Sequence, residues 1–296
     1  MIVVKLISGL GNQLFQYTIG RQLSIKHNVP LKLDTSFFSG QSLRSYKLDN
    51  YNIKAQIASS EDVDKLLYWE KRSGFISKVY KKAERIIPKN KRPYFKEMEW
   101  WVYDPALLTV SSNVYLDGYW QNHKYFENIN RKIFDELTLI EEDAAVSAIE
   151  KNIVGNHSSV SIHIRRGDYI TNTEAFNLMG VLPLSYYLKA IDLINSKLNN
   201  PSYYIFSDDL NWAKDNLKIN RSVTYIDLEA GSKYDYVELD LMSKCYHNII
   251  ANSTFSWWGA FLNRNPEKIV VSPTNWVIRP EINARIQLQF PSWIKM

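Results

Sequence analysis

Three groups of polar side chains in the second half of the sequence each follow an apolar run typical of a buried β-strand. The runs are residues 159–164, 202–206 and 248–251. In open parallel sheets, ligands bind outside the carboxyl ends of the strands, so the three groups should meet in one crevice. Their members are His163, Arg165, Arg166, Asp168, Asp208, Asp209, Asn252, Ser253, Thr254 and Phe255. Guanidinium, carboxylate, amide and hydroxyl groups together suit a diphosphate that carries a sugar and a base.

Each of these groups also has a purely structural interpretation. Arg165 and Arg166 can be surface charges, although adjacent arginines directly after an apolar strand are unusual. One of Asp208 and Asp209 can cap the following helix, and the pair can also hold a metal ion, as in metal-dependent sugar transferases. The hydroxyl residues at 253 and 254 can cap a helix or form an anion site at its N-terminus. The residues alone leave these alternatives open.

A glycine-bearing turn near the N-terminus supplies a further candidate. The turn GLGNQ (9–13) contains Gly11 and places Asn12 at the carboxyl end of the first predicted strand, facing the expected crevice. It is not a dinucleotide-binding fingerprint, because Leu14 occupies the position of the third glycine.

An aromatic segment, GYWQNHKYF (118–126), follows another predicted strand. Its candidates for contact with an acceptor sugar are Tyr119, Trp120, Gln121 and Tyr125. Aromatic faces can stack on the apolar faces of sugar rings while an amide binds hydroxyls. Core packing is the competing interpretation, and for Trp120 and Phe126 it is at least as good.

The elements that must position these residues read as alternating strands and helices. Residues 1–34 form a predicted strand, helix and strand, and further strands are predicted at 113–120, 159–164, 202–206, 248–251 and 268–272. Helices are predicted at 140–153, 184–198 and 234–247. Helices are also predicted within 35–115, although apolar residues have no regular spacing there. This alternation indicates an α/β fold with two Rossmann-like domains facing across a cleft.

The domain boundary is expected in the small polar segment VGNHSS, which gives domains 1–154 and 155–296. Whether the last residues pack back on the first domain stays open.

Composition limits the class of protein. The chain has 296 residues, of which 45% are hydrophobic and 23% charged, so it is neither disordered nor collagen-like nor a coiled coil. The single cysteine, Cys245, excludes an intrachain disulfide and a cysteine-rich zinc site. The N-terminus makes a poor signal peptide and no run is long enough to span a membrane, so we expect a cytoplasmic protein.

The net charge of +5 is concentrated in one segment. Lys78–Arg92 holds seven basic residues and one acidic residue, and the rest of the chain is close to neutral. Because this segment is far in sequence from Arg165 and Arg166, nucleic-acid binding is not expected. The segment is either a solvated surface or a contact with anionic lipid or a phosphorylated acceptor, which would place the protein at the inner face of the membrane.

Several motifs together resemble the bacterial α-1,2-fucosyltransferases of glycosyltransferase family 11. They are SGLGNQLFQY (8–17), YKLDNYNI (46–53), GYWQNHKYF (118–126), HIRRGDY (163–169), FSDD (206–209) and ANSTFSWWGAFL (251–262). They extend over nearly the whole chain. One departure is Ser8, where the family commonly has glycine.

The resemblance implies a GT-B-like fold, in which the domain 1–154 takes the acceptor and the domain 155–296 binds the GDP-sugar. It also implies an inverting transfer of fucose from GDP-fucose to the 2-hydroxyl of a terminal galactose. No metal or other cofactor is expected, since GDP-fucose is the donor substrate. The acceptor would be a β-galactoside-terminated glycan such as an O-antigen unit, carried on a lipid if the basic segment contacts a membrane. Alternatives are a transferase for another GDP-sugar and a glycan-binding protein without activity.

The resemblance also implies roles for individual residues. Arg165 or Arg166 would hold the diphosphate and stabilise departing GDP. Asp168 would be the general base or would orient one of these arginines. The remaining donor-site residues would be His163 beside the nucleoside, Asp208 at the guanine edge, Ser253, Thr254 and Phe255 around the phosphates, and Gly11 and Asn12 at the phosphate or fucose.

Overall fold

The computed structural model describes residues 1–40, 44–71, 73, 82, 86–141, 144–228 and 234–296. The chain divides into two compact units, Met1–Thr138 and Leu139–Met296. Each unit is built on its own parallel β-sheet.

The sheet of the first unit confirms the predicted strand, helix and strand at the N-terminus. Its strands are β1 (Ile2–Lys5), β2 (Leu31–Asp34), β3 (Gln56–Ile57), β4 (Tyr94–Lys96) and β5 (Val114–Asp117). They pair in the order β3-β2-β1-β5-β4, and every pairing is parallel. The buried, β-branched β1 is therefore central, as a strand covered on both faces should be.

The α-helices whose bounds lie within the described residues of the first unit are α1 (Leu10–His27), α2 (Ser60–Lys71) and α3 (Asn130–Glu136). The prediction of helices within 35–115 is right for α2 and wrong for β3 and β4. Two or three residues are too few to display the alternation by which a strand is recognised.

The second unit has the more regular sheet. Its strands are β6 (Ser159–Ile164), β7 (Ser202–Ser207), β8 (Ser222–Tyr225), β9 (His247–Ile249), β10 (Val270–Ser272) and β11 (Ile294–Lys295). The order is β11-β10-β9-β6-β7-β8, again with only parallel pairings. Every residue of β6 is buried, so its polar side chains, Ser159, Ser161 and His163, lie in the interior together with its valine and isoleucines.

The helices of the second unit connect these strands. They are α4 (Ser147–Val154), α5 (Gly167–Thr171), α6 (Thr173–Met179), α7 (Leu184–Lys197), α8 (Leu210–Asn216), α9 (Asp235–Lys244), α10 (Thr254–Leu262) and α11 (Pro280–Asn283). The predicted helices at 184–198 and 234–247 correspond to α7 and α9. After Arg166 the chain forms α5 and then α6.

The boundary between the units lies earlier than the expected division after residue 154. Helix α4 belongs to the second unit, because the Nζ of Lys244 on α9 donates a hydrogen bond of 2.7 Å to Glu150 on α4. The last strand, β11, pairs with β10, so the C-terminal residues complete the second sheet.

Trp257 and Trp258 lie in the core of the second unit and have a structural role. Both are fully buried, and the Trp257 indole N–H donates to the Leu288 carbonyl at 2.7 Å. Its ring stacks on Phe261 and Phe290, so this aromatic cluster fixes α10 behind the sheet.

Two predictions concern membranes: the absence of a membrane-spanning segment and the contact made by the basic segment. Within the described ranges, no helix is both long and apolar enough to cross a bilayer. Of the basic segment Lys78–Arg92, residues 78–81 and 83–85 lie outside the described residues. In the part that is described, Lys89 pairs with Asp104 at 2.7 Å. The membrane contact stays a prediction.

Candidate active site

The three polar groups of the second unit lie at one edge of its sheet. Strands β9, β6 and β7 are neighbours and parallel, so their carboxyl ends adjoin. The ion pair between Arg165 and Asp208 joins the group after β6 to the group after β7. The Tyr169 hydroxyl donates to the Asn252 carbonyl at 3.1 Å and joins the group after β6 to the group after β9. The predicted convergence within this unit is therefore confirmed.

Arg165 is held between two carboxylates. Its Nη2 donates to Asp168 at 2.6 Å, and its Nη1 lies 2.9 Å from Asp208. Burial acts to lower the pKa of Arg165, but Asp208 and Asp168 outweigh it and keep the pKa above its ordinary value. The guanidinium is therefore a fixed positive charge. Asp168 orients Arg165, as the structural alternative proposed, and its role as general base stays a prediction.

Arg166 is held from a different side. Its Nε donates to Asp209 at 3.0 Å, and its guanidinium carbon lies 4.0 Å from the centre of the Trp212 ring. Its backbone N–H donates to Asp208 at 2.8 Å. These contacts leave both terminal amino groups without a hydrogen-bond partner in the part of the chain that the structure describes. They are thus available to an anionic ligand in a fixed orientation.

Asp208 and Asp209 have the arginines as partners. Asp209 also caps α8 by accepting from the backbone N–H of Trp212 at 3.1 Å, which confirms the helix-cap interpretation. Among the described residues, no group of three or more histidine, cysteine or acidic side chains is placed to hold a metal ion. With its present partners, Asp208 positions Arg165, and its predicted contact with guanine stays untested.

His163 is buried at the end of β6, 4% exposed. Its ring centre lies 5.4 Å from that of Phe255, and its Nδ1 has no hydrogen-bond partner among the residues described. Burial, with a smaller effect of the Arg165 charge, lowers the pKa of His163 to about 3. The imidazole is therefore neutral at pH 7 and can offer a ligand one donor or one acceptor nitrogen.

His163→Gln should make the protein less sensitive to acid. Below pH 6.5 His163 becomes protonated in the unfolded chain, whereas in the folded protein it stays neutral down to about pH 3. Falling pH therefore favours unfolding. As the pH falls through this window, the free energy of unfolding of the wild type should decrease more steeply than that of the variant. We expect the two slopes to differ by about 1 kcal/mol per pH unit. Urea unfolding at several pH values measures it, with the exposed His157→Gln as control. Equal slopes for wild type and His163→Gln would contradict the prediction.

The third group surrounds the N-terminus of α10. Ser253 is the N-cap, and its hydroxyl accepts from the Phe255 backbone N–H at 3.3 Å. Thr254 begins the helix. The Asn252 amide donates to the carbonyls of Met179 and Trp276 at 2.8 and 3.2 Å, so it ties α6 and the loop before α11 to this edge. The cap interpretation holds for Ser253, and the phosphate contact stays a prediction.

The first unit presents an amide network at the carboxyl end of β1. The Asn12 Nδ2 donates to the Ser8 hydroxyl at 2.9 Å, and its Oδ1 accepts from Gln121 at 2.7 Å. Gln121 in turn accepts from the indole N–H of Trp101. Gly11 is buried in the first turn of α1. The structure thus joins the turn GLGNQ to the aromatic segment 118–126, a contact that the sequence did not reveal.

The aromatic acceptor-site predictions need correction. Trp120 and Tyr125 are each only 1% exposed, because Trp120 packs on Phe95 and Tyr125 on Tyr103. The core interpretation is therefore right for Trp120, as it is for the buried Phe126, and it extends to Tyr125. Tyr119 remains partly exposed.

Sequence reasoning missed three residues that shape these sites. They are Trp101, Trp212 and Glu97. Glu97 accepts from the backbone N–H groups of Tyr119 at 2.6 Å and Trp120 at 3.2 Å. Burial raises the pKa of Glu97 to about 7, although these two hydrogen bonds and Lys89 act to lower it. Only Trp212 had a usable signal, since it lies one helical turn after the cap residue Asp209.

A solved structure supports the class of fold. The fucosyltransferase NodZ from Bradyrhizobium superposes with a TM-score of 0.52 at 13% identity, covering 87% of this chain and 91% of NodZ. Two parallel α/β units with polar groups at the strand ends define a GT-B-like glycosyltransferase fold, which confirms the predicted fold class.

Sequence comparison identifies the family. The family model of glycosyl transferase family 11 matches residues 94–295. Alpha-1,2-colitosyltransferase of Escherichia coli is 32% identical, over 96% of this chain and 95% of the relative. The O-antigen biosynthesis glycosyltransferase WbnK of Escherichia coli is 34% identical, over 98% and 99%. The chain therefore belongs to glycosyl transferase family 11.

Proposed function

We propose that this glycosyltransferase moves fucose from GDP-fucose to the 2-hydroxyl of a terminal galactose, with inversion at the sugar carbon. The observation that carries the proposal is the pair Arg165 and Arg166, fixed by three carboxylates at the carboxyl edge of the second sheet. Support for the donor comes from NodZ, which was crystallised with GDP. Support for the linkage comes from the α-1,2 specificity in the name of the colitosyltransferase.

The chemistry of GDP departure suits these arginines. As the bond from the sugar to the β-phosphate breaks, negative charge builds on the phosphate oxygens. Guanidinium N–H groups already aimed at that position need no reorganisation, and one comparable donor is worth about 2.7–4 kcal/mol of transition-state stabilisation. Asp168 and Asp209 keep the planar groups in place by accepting from one side of each. The open edge of Arg166 can then bind two phosphate oxygens at once.

The attacking group is the acceptor hydroxyl, in a single displacement. Its proton must pass to a base as the new bond to the sugar forms, and Asp168 is the carboxylate that we propose for this step. Because Asp168 accepts from the Arg165 guanidinium at 2.6 Å, the same carboxylate would both orient Arg165 and take the proton.

We also propose that the reaction needs no metal ion. The support is that Asp208 and Asp209, the adjacent carboxylates at the end of β7, already accept hydrogen bonds from Arg165 and Arg166. A divalent cation there would have to displace these guanidinium partners. The positive charge of the arginines would neutralise the departing diphosphate, as the metal ion does in metal-dependent sugar transferases.

The test is release of GDP from GDP-fucose with lactose as acceptor and excess EDTA. We expect turnover that EDTA does not reduce, with a product whose new linkage, determined by NMR, is α-1,2. Loss of activity in EDTA, restored by Mg²⁺ or Mn²⁺, would contradict metal independence alone. Failure to turn over lactose and other β-galactosides, in a protein that binds GDP, would contradict the proposed transfer.

Colitose is a second candidate for the transferred sugar, because a relative covering nearly the whole chain is named for it. The same arginines would serve any GDP-sugar, since they recognise the diphosphate. The ratio of kcat/KM for the GDP derivatives of fucose and colitose decides between them. A ratio in favour of colitose would replace fucose as the donor sugar and leave the diphosphate chemistry intact.

A further inference from the structure

Two pairs of adjacent aromatic residues in the first unit have the same arrangement. In Trp100-Trp101 and in Tyr119-Trp120, the second ring is buried and the first is at the surface. Both buried residues have a left-handed backbone, with φ of +65° at Trp101 and +57° at Trp120. The Trp100 and Trp101 rings also meet edge to face, with their centres 5.9 Å apart at an interplanar angle of 89°.

A left-handed backbone is costly at a bulky residue. Such a conformation persists only where the surrounding structure holds it in place. Here hydrogen bonds do so: the Trp101 indole N–H donates to Gln121, and Glu97 accepts from the backbone N–H of Trp120 at 3.2 Å. Ser8, at the other end of the Gln121–Asn12 network, is left-handed too, with φ of +70°. Strain of this kind, gathered in one place, points to a functional surface.

The two surface rings meet in a corner. The centres of the Trp100 and Tyr119 rings are 5.2 Å apart, at an interplanar angle of 84°. Trp100 is 48% exposed, which is unusual for so large an apolar side chain. The corner follows the carboxyl ends of β4 and β5, the edge at which parallel sheets bind ligands.

We propose that Trp100 and Tyr119 form the subsite for the galactose ring of the acceptor, with Trp101, Gln121 and Asn12 as positioning residues behind them. The proposal rests on the proposed function. The occupant is a single pyranose, because one corner of two rings offers a small apolar surface, far below the roughly 800 Å² per partner of a protein interface. A β-galactoside has one face of C–H groups for the indole, and its hydroxyls can reach the Tyr119 hydroxyl at the rim.

The test compares Trp100→Ala with a matched control in the same unit, Tyr68→Ala, whose ring is 44% exposed on α2. We expect the KM for lactose to rise about 10–100-fold in Trp100→Ala, as loss of one buried ring contact implies, and less in Trp100→Phe. The KM for GDP-fucose, and its slow hydrolysis without acceptor, should stay within twofold of wild type in all three variants. An unchanged lactose KM in Trp100→Ala, or an equal rise in the control, would overturn the proposal.

Direct binding separates this inference from the proposed function. Lactose is titrated into each variant in the presence of GDP, and its NMR signals report binding whether or not any sugar is transferred. Binding to wild type that is lost in Trp100→Ala supports the subsite even if fucose is not transferred. Equal binding by both, or no binding by wild type, rejects the subsite even if GDP-fucose is turned over on another acceptor.

Discussion

Arg166→Ala should lower kcat for sugar transfer by about 10²–10³, the loss expected for one fixed donor to a developing anion. The terminal amino groups of Arg166 are open to ligand, while Asp209 and the Trp212 ring fix the plane of the guanidinium. The substitution therefore removes the donors that we propose for the departing diphosphate. Initial rates at saturating GDP-fucose and lactose measure the loss in kcat. The affinity for GDP, measured separately, shows how much of the lost interaction is already present when the nucleotide binds in the ground state.

Two further variants make the result specific to geometry. Arg166→Lys keeps the charge but has neither the planar fork nor the stacking surface for Trp212, so it should recover only a small part of the rate. Arg221→Ala removes an exposed arginine of the same unit and should leave kcat unchanged. A kcat within threefold of wild type in Arg166→Ala would mean that the arginine lies outside the reaction centre.

The groups in the second unit were predictable because they depend on strand order alone. Once β6, β7 and β9 are recognised as parallel neighbours, their carboxyl ends must adjoin, whatever the loops do. Which carboxylate pairs with which arginine was not predictable, since three carboxylates, Asp168, Asp208 and Asp209, are available within two short segments. Which oxygen meets which nitrogen depends on the turn into α5 and on the cap of α8, and both are set by packing.

The first unit was harder to predict for a different reason. Helix α1 buries the amides Gln13 and Gln16, so it lacks a simple division into apolar and polar faces. Gln16 accepts from the Ile7 N–H and donates to the Gly118 carbonyl, both at 3.0 Å, and thereby joins the loops after β1 and β5. Polar residues that build a fold by hydrogen bonds are indistinguishable, in sequence, from polar residues that bind ligands.

The departure at Ser8 now has a physical explanation. The family commonly has glycine there, and a φ of +70° is the region that glycine adopts without strain. Ser8 accepts the strain, and its hydroxyl receives a hydrogen bond from Asn12 at 2.9 Å. The side chain that makes the backbone unfavourable therefore also helps to orient Asn12. The sequence of a turn motif indicates the backbone conformation that the turn needs. The hydrogen bond that offsets the strain at Ser8 is visible only in the three-dimensional structure.

Gly167→Ala should reduce kcat by about 10–100-fold through Asp208, although it adds a single methyl group. A Cβ at position 167 would lie 2.6 Å from the Asp208 Oδ2 and 3.0 Å from its Cγ, so the carboxylate must move. Movement costs Asp208 its 2.9 Å pairing with Arg165 and its 2.8 Å hydrogen bond from the backbone N–H of Arg166. Both guanidinium groups then lose part of their support. Global stability should change little, since alanine favours the helix that begins at this residue by about 1 kcal/mol.

A double-mutant cycle shows whether the methyl group acts through Asp208. In an Asp208→Ala background the added Cβ meets no carboxylate, so Gly167→Ala should reduce kcat no further. The two effects would then be strongly non-additive, as expected for groups in direct contact. Reductions that multiply independently would show that position 167 acts on something else, such as the path of the chain into α5. The cycle needs only kcat and a thermal unfolding curve for four proteins, and it tests the part of the geometry on which the orientation of both arginines depends.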